Sequence, residues 1–280
     1  MIGVFDSGFG GLTILKSFLE KLPEYNYIYF GDNARAPYGG RSQEIIYEYT
    51  KEAIDFLFAR GATLIIIACN SASSQALRKI QQEYLPEAYP GKKVLGVIRP
   101  LAEMVANDKN AKKIGVLGTK ATINSHVYEK EIKKINTKCP EGREKEIIEK
   151  PAPLLVPLIE EGWIKKRETR MILKKYLRPL KEKQIDSLIL GCTHYPFLFK
   201  QIREIMPKKC KIYNPGEVVA NSLKEYIKKH KELKLKENNN LQCEVYTSGH
   251  IGDFSNFAQQ FLNIQDLKIK KVSLKGKIEL

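Results

Sequence analysis

The chain has 280 residues, of which 43% are hydrophobic, enough for one large domain or two ordinary ones with filled cores. Its formal net charge is +15, but the lysines are scattered among glutamates and accompany no recognition motif, so we expect no nucleic-acid partner. Apolar runs stay short of the roughly 18 residues of a membrane span, so we expect a cytoplasmic protein with no membrane partner. The cysteines lack the spacing of metal ligands, so we expect reduced thiols and no bound metal.

Short apolar runs alternate with longer amphipathic segments along the whole chain. The apolar runs predict strands at residues 2–5, 27–30, 64–68, 94–98, 114–117, 187–190, 211–213 and 244–247. The segments between them predict helices at residues 12–21, 42–60, 73–84, 124–135, 167–177, 197–205, 218–230 and 253–261. This alternation is typical of parallel sheets covered by helices. Two polar stretches rich in turn residues, 136–150 and 231–242, predict surface loops or insertions.

The chain also resembles itself. Residues 2–7 are echoed by residues 114–119, and residues 64–71 by residues 188–194, in the same order and at comparable separations. The echo is short, but it agrees with the alternation and with the length. It predicts two related halves with a site between them.

Two cysteines end equivalent aliphatic runs. Cys69 and Cys192 each follow a predicted strand and precede small polar residues that open a helix. Because ligands bind beyond the carboxyl ends of strands in open α/β sheets, both thiols are placed to face one site. One such cysteine is more often a small buried hydrophobe, but two favour acid/base chemistry on opposite faces of a carbon, with pKa values lowered toward neutrality by a helix start or a histidine. Cys139, Cys210 and Cys243 lie in loop-like or edge-like contexts and are interpreted as incidental.

A glycine-rich turn, residues 6–11, follows the first strand. Its glycines permit tight turning and leave backbone N–H groups facing a small anion. A dinucleotide site is an alternative, but the spacing is not G-x-G-x-x-G, and a plain strand-to-helix turn also remains open. The carboxylate of Asp6 is placed to orient a neighbouring base or exchange protons with it.

Other polar residues follow the remaining strand ends. His194 stands two positions after a strand-tip thiol, whereas the other three histidines are interpreted as ordinary surface or helix residues. Thr119 and Thr122 offer hydroxyls near a helix start, where they either hold a carboxylate or act as plain caps. The loop 31–39 is rich in turn residues and is expected to pass over the same sheet edge.

Six motifs in this order resemble the glutamate racemases of the aspartate/glutamate racemase superfamily, cofactor-independent enzymes that supply D-glutamate for peptidoglycan. They are residues 5–11, 31–39, 68–72, 118–122, 156–160 and 191–196. The resemblance implies an α/β fold with two pseudosymmetric domains, each a mostly parallel sheet flanked by helices, and glutamate in the cleft between them. The implied domains are 1–98 plus 213–280, and 99–212. No cofactor is implied, and a homodimer is common in the family.

The resemblance also implies roles for the matching residues. Cys69 would remove the α-proton of D-glutamate and Cys192 that of L-glutamate. Asp6 would assist Cys69, while His194 and Glu160 would assist Cys192. The carboxylates and ammonium of the substrate would be held by residues at the sheet edges: Asp6, Ser7, Pro37, Tyr38, Gly39, Asn70, Ser71, Thr119, Thr122, Thr193 and His194.

The sequence departs from the family pattern at four positions. Ser71 replaces the usual threonine and keeps its hydroxyl. Arg99 and Leu101 flank a proline where the family commonly has other residues, which leaves the geometry of the domain junction in doubt, and His250 stands where an acidic residue is common. Two alternatives remain open. One is an aspartate racemase or related two-cysteine racemase, whose first turn typically lacks the Asp-Ser-Gly pattern, and the other is an inactive basic binding protein on this scaffold.

Overall fold

The computed structural model describes residues 1–136, 145–238, 240–262 and 268–274, and for residues 260–262 the backbone alone. The strands are β1 (Ile2–Asp6), β2 (Tyr27–Gly31), β3 (Leu64–Ile67), β4 (Lys93–Gly96), β5 (Lys113–Gly118), β6 (Glu146–Pro151), β7 (Ser187–Gly191), β8 (Lys211–Ile212), β9 (Cys243–Thr247) and β10 (Ile269–Lys271).

The helices connect these strands and cover both faces of the sheets. They are α1 (Leu12–Lys21), α2 (Gln43–Ala59), α3 (Asn70–Gln75), α4 (Leu77–Lys79), α5 (Leu85–Ala88), α6 (Ile98–Asn107), α7 (Lys120–Asn124), α8 (Val127–Asn136), α9 (Leu155–Glu160), α10 (Arg167–Glu182), α11 (Phe199–Ile205), α12 (Pro215–Lys229) and α13 (Ile251–Leu262). Among the described residues, no helix is both long and apolar enough to cross a membrane.

The strands form two sheets with the same internal topology. The first domain contains a six-stranded sheet of order β10-β9-β2-β1-β3-β4, and the second a four-stranded sheet of order β6-β5-β7-β8. All ladders in both sheets are parallel. The order β2-β1-β3-β4 of the first sheet therefore recurs as β6-β5-β7-β8 in the second. This confirms an α/β fold with two pseudosymmetric domains, whereas the boundaries at 98/99 and 212/213 remain a prediction.

The central strands are buried on both faces, which explains why they read as unbroken apolar runs. In β3, Leu64 and Ile66 pack into one core cluster, while Ile65 and Ile67 pack into another on the opposite face. The alternation follows from the two-residue period of a strand. The second sheet is built in the same way, with separate clusters on its two faces. Each sheet is thus held rigidly, and its carboxyl edge is a stable platform for a site.

Two edge strands were not predicted from the sequence. The predicted loop at 136–150 is wrong in its second part, because Glu146–Pro151 forms β6, the counterpart of β2. Residues 137–144, including Cys139, lie outside the described residues. The strand β10 was also missed. Both lie at sheet edges and carry charged residues, which edge strands tolerate and which hide the apolar pattern. In the other predicted loop, Glu237 pairs with Tyr25 in an isolated bridge.

The stretch between the domains is a helix rather than the end of a strand. The predicted strand at 94–98 ends at Gly96, and Ile98 begins α6. Proline is tolerated in the first helical turn because no backbone hydrogen bond is lost there. Leu101 is fully buried in the core of the second domain, and Arg99 pairs with Glu103. The two departures at this junction are therefore accommodated by a regular, well-packed helix.

Candidate active site

The carboxyl ends of both sheets meet at one cleft. Asp6 ends β1 and Cys69 follows β3, while Thr119 and Cys192 directly follow β5 and β7. The cleft contains a cavity of about 180 Å³. The lining residues come from both domains and are Ser7, Pro37, Tyr38, Gly39, Gly40, Cys69, Asn70, Ser71, Thr119, Lys120, Pro153, Val156, Glu160, Cys192, Thr193 and His194.

Cys69 occupies the N-cap position of α3. Its sulfur accepts a hydrogen bond from the backbone N–H of Ala72 at 3.4 Å and lies 3.2 Å from the hydroxyl of Ser7. Burial, together with the nearby carboxylate of Asp6, raises the pKa of Cys69 to about 12. The hydrogen bonds from Ser7 and the helix start offset this only in part. The expectation that the helix start brings this thiol toward neutrality is therefore not met.

Cys192 has a different set of neighbours. Its sulfur lies 3.9 Å from Nδ1 of His194, and Nε2 of the same ring lies 3.0 Å from Oε1 of Glu160. Burial lowers the pKa of His194, but the interactions with Cys192 and Glu160 outweigh it, so the pKa lies well above its usual value. The side chains form a continuous relay from Glu160 through an imidazolium to Cys192, which brings together three residues predicted from the sequence.

Asp6 lies behind the cavity rather than in its wall. Its carboxylate is fully buried and accepts hydrogen bonds from the backbone N–H of Gly8 at 2.9 Å and the hydroxyl of Thr193 at 3.2 Å. Burial raises the pKa of Asp6, while His194 and these hydrogen bonds oppose the rise. Cys69 takes its hydrogen bonds from the Ser7 hydroxyl and the Ala72 backbone, so Asp6 acts on that thiol through its electric field.

Hydrogen bonds across the cleft hold the two domains together at the site. The hydroxyls of Ser71 and Thr119 lie 2.9 Å apart, and the hydroxyl of Tyr128 donates to Oδ1 of Asn70 at 2.6 Å. The hydroxyl of Thr119 in turn donates to that of Thr122 at 3.1 Å. Thr122 is fully buried and absent from the cavity wall, so it braces Thr119 from behind.

The loop after β2 closes one side of the cavity. Tyr38 is almost fully buried, and its hydroxyl donates to the buried carboxylate of Asp32. Asp32 also accepts a hydrogen bond from Ser248 at 2.6 Å, which fixes the loop to the segment after β9. At Gly39, an added Cβ would lie 2.7 Å from the Cβ of Thr119. Glycine is therefore required here for the two domains to approach so closely.

The structure adds lining residues that were not predicted as site residues. Lys120 lies between the two threonines already named and is exposed at the cavity. Gly40, Pro153 and Val156 also contribute to the wall. In the sequence, only their position within or beside the matching motifs indicated that these residues line the site. Asp32, which supports Tyr38, lies in the same motif and was missed because its role depends on a contact to Ser248, distant in sequence.

Comparison with known proteins identifies the family. Residues 10–223 match the Asp/Glu/hydantoin racemase family over most of the chain. The chain belongs to this family. A curated member, the glutamate racemase of Geobacter metallireducens, is 41% identical over 227 residues, which cover 81% of this chain and 80% of that protein. The resemblance inferred from the six motifs is confirmed, and the chain is an amino-acid racemase, an isomerase.

Solved racemase structures of this family share the whole fold. Glutamate racemase isoform RacE1 from Bacillus anthracis superposes with a TM-score of 0.88 at 33% identity, covering 98% of this chain and 97% of that one. The glutamate racemase of Francisella tularensis, solved in complex with D-glutamate, gives a TM-score of 0.86 at 34% identity over 98% and 97% of the two chains. The racemase fold therefore extends over both domains and the cleft between them.

Proposed function

We propose that the chain interconverts L-glutamate and D-glutamate by a two-base mechanism and that the D-glutamate supplies peptidoglycan synthesis. The observation that carries the proposal is the pair of thiols. Cys69 and Cys192 come from equivalent strand ends of the two domains and line one small cavity. The similarity to curated glutamate racemases, such as the 41% identical protein of Geobacter metallireducens, supports glutamate as the substrate.

In this mechanism each thiol serves one face of the α-carbon. Cys69 removes the proton of D-glutamate while Cys192 donates one from the opposite side, and the roles reverse for L-glutamate. The α-proton of an amino acid is far less acidic than a thiol, so the site must stabilise carbanion character with fixed dipoles and by excluding water. Both cysteine residues are about 5% exposed, and the polar groups around them lie at the ends of buried strands. Such a site needs no cofactor to act as an electron sink.

Different neighbouring groups assist the two proposed bases. For Cys69, the nearby carboxylate of Asp6 makes the thiolate a stronger base, and the hydroxyl of Ser7 steadies the charge as it forms. For Cys192, the imidazolium of His194 stabilises the thiolate and is itself held by Glu160. Binding of the substrate ammonium also favours the ionised sulfur, because an opposite charge nearby lowers a thiol pKa.

The polar groups of the wall are proposed to hold the substrate. Hydroxyl, amide and backbone N–H groups at the strand ends bind its carboxylates and ammonium, and Lys120 attracts the anion at the rim. Asp6 and Thr122 act from behind the wall. The hydroxyl of Tyr38 is already hydrogen-bonded to Asp32, so Tyr38 contributes its ring and its backbone to the substrate site. The proposed contact residues are Ser7, Pro37, Tyr38, Gly39, Asn70, Ser71, Thr119, Thr193 and His194.

Location and assembly are part of the proposal. We propose that the enzyme acts in the cytoplasm and that it forms a homodimer, as is common in the family. Cell fractionation tests the first statement. Sedimentation equilibrium tests the second, with an expected mass of twice the 32.0 kDa of the chain. A single species at the chain mass at working concentration contradicts the dimer.

Circular dichroism tests the reaction directly. Starting from either enantiomer of glutamate, the ellipticity should decay to zero as the racemic mixture forms. The same measurement with both enantiomers of aspartate should show little change. Decay with aspartate and none with glutamate would establish the alternative aspartate racemase. No decay with any of the four substrates would contradict the racemase proposal and favour a binding protein.

Replacement of each thiol tests the two-base assignment. Cys69→Ala and Cys192→Ala should each reduce kcat by at least about 10³-fold, since each removes an acid/base group that both directions of the reaction require. Cys243→Ala is the matched control, because this half-buried cysteine lies in β9 away from the cavity. Near-native far-UV circular dichroism should accompany the loss. Undiminished turnover in either site variant refutes the assignment.

A further inference from the structure

A second cluster of ligating side chains lies on the second domain, away from the thiols. His126 precedes α8, Glu129 lies in its first turn, and Glu149 lies on the edge strand β6. Nδ1 of His126 is 2.7 Å from Oε2 of Glu149 and 3.9 Å from Oε2 of Glu129. One ligating atom from each of the three residues falls within 4.8 Å of the others. None of these residues lines the active-site cavity.

One oxygen of this cluster is buried without a partner among the described residues. The side chain of Glu149 is only 9% exposed, and no donor in the described part of the chain reaches its Oε1. A buried carboxylate oxygen left unpaired is costly, and the hydrogen bond from His126 reaches only the other oxygen. The group therefore has unused capacity to accept a positive charge.

We propose that His126, Glu129 and Glu149 bind one divalent transition-metal ion, with Zn²⁺ as the best fit. An imidazole nitrogen and two carboxylate oxygens form a ligand set that suits zinc better than calcium or magnesium, which prefer oxygen alone. The two carboxylates balance the charge of the ion. An ion held by the buried carboxylate through both oxygens would also satisfy the unpaired Oε1.

The distances require only small side-chain movement. Zinc binds nitrogen and carboxylate ligands at about 2.0 to 2.2 Å, so ligands around one ion lie roughly 3 to 4 Å apart. The 3.9 Å separation of His126 from Glu129 already falls in this range. The 2.7 Å contact with Glu149 is a hydrogen bond that the ion would replace, widening the gap. The side chain of Glu129 is 34% exposed, so the solvent leaves room for its Oε2 to shift toward an ion.

Nearby lysines limit the affinity but leave the site open. Lys133 binds Oε1 of Glu129 at 2.6 Å and leaves Oε2 for an ion, in the manner of a group that orients a metal ligand from behind. Lys130 donates to the backbone of Ser125 and adds a further positive charge near both carboxylates. Binding in the micromolar range rather than tighter is the expected consequence.

The ion would connect the start of α8 to the edge strand β6. His126 follows α7, which carries the buried Thr122, and Glu149 stands on a strand that joins its sheet on one side only. Fixing these two elements together should raise the thermal stability of the second domain. The catalytic thiols are outside the site, so this inference stands independently of the proposed reaction.

Metal titration of the tag-free protein tests the proposal. The Cys69→Ala/Cys192→Ala double variant is used as background, so that the catalytic thiols cannot ligate the ion. Co²⁺ is added first, because its absorption spectrum distinguishes nitrogen and oxygen ligands from thiolates, and Zn²⁺ binding is then measured by calorimetry. His126→Asn and Glu149→Gln are introduced separately. Asparagine tolerates the left-handed backbone of this histidine, whose φ is 52°. His250→Asn, at an exposed histidine outside the cluster, is the matched control.

We expect one ion per chain with a thiolate-free Co²⁺ spectrum, weakened at least tenfold by either cluster substitution and unchanged by the control. Saturating Zn²⁺ should raise Tm by roughly 3 to 8 °C in the background protein and by much less in both cluster variants. Binding that is equally strong in both cluster variants overturns the proposal. So does the absence of saturable binding at millimolar ion.

Discussion

At the scale of residues, the two thiols of this racemase occupy equivalent positions but have unlike surroundings. Cys69 contacts the Ser7 hydroxyl and lies in the field of a carboxylate, whereas Cys192 contacts an imidazolium backed by Glu160. The negative charge of Asp6 strengthens Cys69 as a base, whereas the sulfur of Cys192 faces the ring of His194. The symmetric scaffold thus gives the two proposed bases asymmetric surroundings.

Substitution of Asp6 or His194, the residues proposed to assist the two thiols, should affect the two proton-transfer steps differently. Asp6→Asn and His194→Asn should each lower kcat/KM by about 10²-fold, and by the same factor in both directions, because the enantiomers have an equilibrium constant of one. The asymmetry should appear in isotope effects. With α-deuterated substrates, Asp6→Asn should increase the effect on D-glutamate and decrease that on L-glutamate, and His194→Asn should do the opposite. Equal isotope effects for both enantiomers in both variants contradict the assignment of Asp6 to Cys69 and of His194 to Cys192.

The raised pKa of Cys69 has a consequence for stability. An unfolded thiol ionises near pH 8.5, but in the folded protein burial and Asp6 raise the pKa to about 12. As the pH rises between these values, the unfolded state loses a proton that the folded state keeps, so folding stability falls. Cys69→Ser should reduce this fall by up to about 1.4 kcal/mol per pH unit. Urea unfolding of both proteins from neutral pH to about pH 10.5 measures it, and parallel pH profiles contradict the expectation.

At the scale of elements, the glycine-rich turn after β1 packs directly on the turn after β7. A Cβ on Gly10 would lie 2.5 Å from Nδ1 of His194 and closer still to Oγ1 of Thr193. The hydroxyl of Thr13, at the start of α1, donates to the carbonyl of Thr193 at 3.1 Å. The glycine pattern therefore serves the contact between domains as well as the turn itself.

Gly10→Ala should damage activity more than folding. The added methyl group pushes the imidazole away from Cys192, so kcat should fall at least about 10²-fold, while stability falls by about 1 to 3 kcal/mol. Gly252→Ala is the matched control, because a Cβ there meets no atom of the described residues within 4 Å and the residue lies in α13. Racemase assays and urea unfolding give the two quantities. A Gly10→Ala enzyme with near-normal kcat contradicts the close packing.

At the scale of the whole molecule, an ion-pair cluster joins the domains away from the active site. Glu131, on α8 of the second domain, has a side chain only 9% exposed. It binds Arg78 of α4 in the first domain at 2.5 Å and Arg99 of α6 at 3.4 Å. These residues line a separate cavity of about 400 Å³ that shares no residue with the active-site wall. The cleft is therefore supported from two sides.

Neutralising the shared carboxylate should weaken the connection between domains. Glu131→Gln should destabilise the protein by about 1 to 2 kcal/mol, because both arginines are half-exposed and turn to water once the charge is gone. Glu83→Gln, in the exposed pair with Lys79 at 4.0 Å, should change stability by less than about 0.5 kcal/mol. Urea denaturation measures both. Equal effects of the two substitutions contradict a special role for the buried carboxylate.

The sequence by itself determined the fold class, the pairing of the two halves and the two thiols. Central strands buried on both faces appear as uninterrupted apolar runs, and the residues after them lie at the sheet edge wherever the rest of the chain goes. The motifs containing Asp6, Cys69 and Cys192 are therefore recognisable from the local pattern of residues alone. Edge strands escaped detection, because β6 and β10 mix charged residues into their short runs.

Only the tertiary structure decided which side chain touches which. The hydroxyl that donates to Asp6 belongs to Thr193, 187 residues away in the sequence. The hydroxyl in contact with Cys69 belongs to Ser7, whereas the sequence had predicted Asp6 as the residue that assists this thiol. The contacts of Glu131, and the role proposed for Glu149, depend in the same way on burial and on partners from other elements. Local patterns carry periodicity and turn chemistry, but contacts between distant strand ends follow from how the two sheets pack.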